Sequence, residues 1–91
     1  MKNEESLERL EAILRSDFSW PSVYMFKLIL PADHRIFALV RALFPEEARV
    51  FVRNSDSGKY IIITVKELMI SPEEVIERYR KALEINGVLV L

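Results

Sequence analysis

Few side chains in this sequence are equipped for chemistry, and they are scattered. It has one histidine, His34, and no cysteine. A zinc-type centre needs three or four converging donors, and no second His or any Cys is present to complete such a set. His34 follows Asp33 at the expected start of a helix, where a solvated imidazole is the ordinary outcome. The acid pairs Glu46-Glu47 and Glu73-Glu74 have the right type for acid–base work. Both sit at expected element edges, however, where helix dipole, capping and solubility account for them. Gly58-Lys59 lacks the upstream glycine and following Ser/Thr of a phosphate loop, and neither G-x-G-x-x-G nor G-x-S-x-G occurs. We therefore expect no enzyme, no catalytic residue, no metal site and no cofactor.

One short run is denser. Asn54, Ser55, Asp56, Ser57, Gly58, Lys59 and Tyr60 offer hydroxyls, amides and an ammonium that could hold a small anion. The same types are the strongest turn formers, with Gly58 free to take a positive φ. A tight turn with a solvated Lys59 is the commoner use, and a small-molecule site is the competing one.

The elements that would position these residues follow from periodicity. Leu7, Leu10 and Leu14 recur at helical spacing among glutamates over about Glu4 to Arg15, which makes a short amphipathic helix. Phe18 and Trp20 are too apolar for a free connection and are expected to pack down. Val23 to Leu30 is apolar on both alternations except at Lys27, which predicts a central strand covered on both sides. Asp33 caps a second helix to about Phe44, with Ile36, Val40 and Leu43 as its stripe, and Pro45 stops it. Arg49 to Asn54 alternates as a half-buried strand, and Lys59 to Ile70 follows as a long β-branched one. Ser71-Pro72-Glu73-Glu74 carries a capping box with Pro at the first helical position, for a helix to about Asn86 ended by Gly87. Val88 to Leu91 is a final short strand.

The order is one helix, then β-α-β-β-α-β. This predicts an α+β, ferredoxin-like sandwich: a four-stranded antiparallel sheet, two helices on one face, and an extra N-terminal helix. Residues 1–19 form that helix and its connection, and residues 20–91 the sandwich. The pleat sends Val50, Val52, Ile61, Ile63 and Val65 toward the helices. Met25, Lys27, Ile29, Arg49, Phe51, Arg53, Tyr60, Ile62, Thr64 and Lys66 then point the other way. A mixed apolar and cationic surface of this kind seldom stays wet, so the N-terminal helix or a second subunit is expected to cover it. As a binding surface, it would serve a protein partner.

Composition narrows the classes further. The chain has 91 residues, 51% of them hydrophobic and 30% charged, which is globular and the size of one domain. Its net charge of −1 argues against nucleic acid as partner, since such binders rest on a basic footprint. Single-stranded RNA on Phe51 and Tyr60 is kept only as a third reading. No apolar run approaches a membrane span, and the glutamate-rich start has no signal-peptide pattern, so a cytoplasmic protein is expected.

Trp20 to Leu91, about four-fifths of the chain, resembles the YbeD-like family (domain-of-unknown-function family 493). The pieces that carry the likeness are Trp20-Pro21 leading into Phe26-Lys27-Leu28-Ile29 and the hairpin Ser55-Asp56-Ser57-Gly58-Lys59-Tyr60 running into Thr64-Val65. Ile76 to Tyr79 before Leu83 and the closing Gly87-Val88-Leu89-Val90-Leu91 complete it. The resemblance implies a bacterial protein with an ACT-like, ferredoxin-related fold and no assigned reaction. By that analogy the expected role is a non-catalytic regulatory or adaptor module, a homodimer or bound to another protein. Small-molecule sensing of the ACT type is the alternative.

Overall fold

The computed structural model describes residues 2–91. Met1, which the 1–19 assignment includes, lies outside them. Along the chain come helix α1 (Lys2–Asp17), strand β1 (Ser22–Pro31), helix α2 (His34–Arg41), strands β2 (Arg49–Asn54) and β3 (Tyr60–Met69), helix α3 (Pro72–Leu83) and strand β4 (Leu89–Val90). The strands form one sheet in the order β2-β3-β1-β4, with every neighbouring pair antiparallel. α2 therefore links β1 to β2 past β3, and α3 links β3 to β4 past β1. The result is an α+β protein with a four-stranded antiparallel sheet and three helices.

Side-chain parity decides what the sheet buries. Phe26, Leu28 and Leu30 of β1 and Ile63, Val65 and Met69 of β3 are essentially inaccessible. They share one core with Val40 of α2, with Phe44 just beyond it, and with Val75, Ile76, Tyr79 and Ala82 of α3. Both crossover helices thus lie on the same side of the sheet. Phe26 is the hub: its ring meets Tyr24, Phe44 and Tyr79 edge-on, with centroids 4.9, 5.3 and 5.2 Å away.

α1 joins that same side. Its Leu7 and Leu14 are buried in the common core. Arg15 pairs with Glu73, and Arg80 with Glu4, so α1 runs antiparallel along α3. Exposed pairs like these contribute little, and the leucine stripe does the holding. Trp20 pins the end of the helix, its Nε1 donating to the Leu14 carbonyl at 3.0 Å. Phe18, expected to pack down, remains half-exposed, its ring centroid 6.4 Å from that of Trp20.

Local signals act where the chain needs ends. The Asp33 carboxylate accepts the amides of Arg35 and Ile36 at 2.8 and 3.0 Å, starting α2 at the exposed His34. At α3, Ser71 Oγ accepts the Glu74 amide at 3.3 Å, while Glu74 reaches back to the Ile70 amide rather than to that of Ser71. Both core helices end earlier than their periodicity suggests. α2 gives way to turn structure after Arg41, and α3 after Leu83, where tighter i→i−3 bonds such as Leu43 N–H to the Val40 carbonyl and Ile85 N–H to the Ala82 carbonyl take over while Leu43 and Ile85 still pack on the core.

The two glycines do different work. Both have positive φ, but a Cβ on Gly58 meets nothing within 4 Å, whereas one on Gly87 lies 2.7 Å from Pro31 Cγ. Gly58→Ala should cost about 1 kcal/mol, the conformational penalty alone. Gly87→Ala should cost roughly 2–3 kcal/mol, because the turn must also move off Pro31. Urea unfolding of the two variants, side by side, reads the difference.

Candidate functional site

Outward side chains alternate with the buried ones, and register assembles them into rows. Arg53, Ile62, Ile29 and Leu89 stand side by side across all four strands. Phe51, Thr64 and Lys27 form the next row, then Arg49, Lys66 and Met25, then Leu68 and Val23. None of the three helices lies over these rows, since all of them pack on the opposite side. Val23, Leu68 and Leu89 are 60–64% exposed, and Met25 and Phe51 are each 51% exposed. Lys66 Nζ rests 5.8 Å from the Phe51 ring centroid. A shallow depression of about 200 Å³ opens among Lys27, Phe51, Arg53, Ile62 and Thr64.

The structure thus gathers Met25, Lys27, Ile29, Arg49, Phe51, Arg53, Tyr60 and Ile62 on one face, as the pleat requires. Two expectations change. β1 is central, but it is covered on one side only, because α1 docks along α3 and leaves Val23 and Met25 bare. Val52 has inward parity but is half-exposed, because β2 is the outermost strand. The sequence reading missed Val23, Leu68 and Leu89. The first two follow from carrying the same alternation to the strand ends. Leu89 could not be placed without knowing where β4 pairs.

The hairpin uses most of its own donors. Ser55 Oγ accepts the Tyr60 amide at 3.1 Å, Ser57 Oγ accepts the Lys59 amide at 3.2 Å, and the Ser55 carbonyl accepts the Gly58 amide at 2.9 Å. The two serine hydroxyls lie 3.3 Å apart. Asn54 ends β2, and Asp56, Gly58, Lys59 and Tyr60 are exposed around the turn. The geometry is that of a self-satisfied turn, with the Lys59 ammonium as its one remaining cationic group.

Behind the sheet, two polar arrangements brace the layer that presents this face. Arg78 of α3 forks onto both carboxylate oxygens of Glu67 on β3. Its guanidinium lies over the rings of Phe44 and Phe26, 4.9 and 5.6 Å from their centroids. Tyr79 and Tyr24 share a hydroxyl hydrogen bond of 3.0 Å. Burial, reinforced by that bond, pushes the Tyr79 phenol far above its ordinary value near 10.

The raised phenol has a pH consequence. The folded state holds the Tyr79 proton more tightly than the unfolded chain does, so stability is full below about pH 10 and falls as pH rises beyond it. The slope there should approach about 1.4 kcal/mol per pH unit. Tyr79→Phe should flatten it in urea titrations at alkaline pH, and an unchanged slope would place the loss elsewhere.

Among the described residues, no cluster of His, Asp or Glu could hold a metal ion, and no helix is long and apolar enough to cross a membrane. No protein-family model matches the chain, and no curated protein or solved structure matches it significantly.

Proposed function

We propose that this chain is a non-catalytic docking module, regulatory or adaptor in kind, that engages another protein through the open face of its sheet. One observation carries the reading. Four large apolar side chains, Val23, Met25, Leu68 and Leu89, are half or more exposed on a face that the N-terminal helix leaves bare. Soluble proteins seldom leave such a patch wet unless a partner takes it. The ferredoxin-like and YbeD-like assignments belong to the same proposal. The strand order β2-β3-β1-β4 with its two crossover helices on one side supports the first. The hairpin and closing-strand motifs support the second, and with it a cytoplasmic regulatory role.

Small-molecule sensing at the hairpin or on the sheet face has less behind it. The depression at Phe51 is smaller than the roughly 300 Å³ at which ligand pockets begin, and the hairpin hydroxyls serve their own turn. Affinity capture tests the docking reading. Proteins retained by the wild-type chain and by the helix-side control Glu8→Gln should be lost with Met25→Asp/Leu68→Asp. Equal capture by all three would refute it.

A further inference from the structure

We infer that the open face receives an acidic, amphipathic protein segment, one that sets Asp or Glu between large apolar side chains; this rests on the docking reading and narrows its partner. Charge carries the case. The outward positions of the strands hold Lys27, Arg49, Arg53 and Lys66 and no acid, in a chain with 14 acids against 13 Lys and Arg. The acids sit on α1, on α3, in the loops and, for Glu67, on the helix side of β3. Among the described residues none of the four cations enters a salt bridge, whereas Arg15, Arg78 and Arg80 all do. Arg49 stands directly across from Lys66. Like charges opposed in this way weaken a sheet, and among the described residues no carboxylate pairs with either one; Lys66 has the face of the Phe51 ring beside it. An acidic partner supplies the missing charge.

The apolar side chains fix the rest of its chemistry. Cations occupy β2 and the middle of β3 and β1. Val23 and Leu68 lie toward one end, with Ile29, Ile62 and Leu89 toward the other. A ligand matching this layout needs aliphatic or aromatic anchors at both ends and carboxylates between them. A second copy docked face to face would instead set four cations against four. RNA fits less well, because the central strands present aliphatic side chains and the aromatics lie on the outer strand, Phe51, and at a strand end, Tyr60. Base stacking needs π faces in the middle of the sheet.

The test selects peptides from a random library on the immobilised chain and maps the winners by amide NMR shifts. Winners should be acidic with large apolar residues, perturb Met25, Phe51 and Ile62, and weaken with added salt. Arg49→Glu separates function from fold. It places an opposite charge beside Lys66, so it should raise Tm by about 2–4 °C while weakening the peptides about tenfold. Neutral or basic winners on this face, or unchanged affinity in Arg49→Glu, would overturn the inference and leave the docking reading standing. So would a dimer in light scattering that Met25→Asp dissolves. No winners, winners that perturb only the helix side, or a single-stranded oligonucleotide that shifts the face where peptides do not, would overturn both.

Discussion

Phe26→Ala is expected to lower unfolding free energy by about 3–5 kcal/mol, while Met25→Ala, its neighbour on β1, changes it by less than about 0.5 kcal/mol. The contrast comes from the pleat. The Phe26 ring is fully buried and packs against three other rings, so truncation leaves a cavity that Tyr24, Phe44 and Tyr79 cannot all collapse into. Met25 is half-exposed on the bare face, and shortening it removes mainly hydrated surface. In a domain this small a loss of that size moves Tm by ten degrees or more, at about 4–8 °C per kcal/mol. Calorimetry of the two variants checks both numbers. Comparable losses from both would mean that β1 is covered on each side after all.

The second large effect is at Arg78. Its side chain and that of Glu67 retain only 16% and 15% exposure, so removing one charge strands the other where water reaches it poorly. Arg78→Ala should cost about 3 kcal/mol, from the orphaned carboxylate and from lost packing over Phe44 and Phe26. Arg78→Lys should recover little, since an ammonium can neither fork onto both oxygens nor lie flat on a ring. Arg78→Met combined with Glu67→Gln should recover most of the loss, because neither member then needs a charged partner. Urea midpoints of the three variants decide it. A single mutant as stable as the wild type would show that the pair is solvated.

What could be read from sequence divides along physical lines. Strict alternation in Arg49–Asn54 and the turn chemistry around Gly58 fix the β2–β3 hairpin, because both signals are local. The Ser71-Pro72 start of α3 is legible for the same reason, although Glu74 chooses the Ile70 amide. Both-sided hydrophobicity in β1 misleads. A strand that buries one face and offers the other to a partner has the same composition as one buried twice. Where α1 docks was not legible either: Leu7, Leu10 and Leu14 would suit the open face as well as α3. Only the three-dimensional arrangement, with Leu7 and Leu14 in the common core and Arg15 and Glu4 beside Glu73 and Arg80, shows that α3 receives it. The Arg78–Glu67 pair joins a helix to a strand, so no local pattern announces it. The charge asymmetry of the sheet was present in the parity of Lys27, Arg49, Arg53 and Lys66. It gains meaning once Arg49 is seen opposite Lys66 without an acid between them.

Thiol labelling tests most directly whether the reverse of the sheet is bare, since the chain has no cysteine of its own. Met25→Cys and Leu68→Cys in the folded, monomeric protein should react with a thiol reagent about as fast as an unfolded chain, and Leu28→Cys should react only on unfolding. Protection of the two outward positions in that monomer would contradict an open face, and the docking surface inferred from it would not exist.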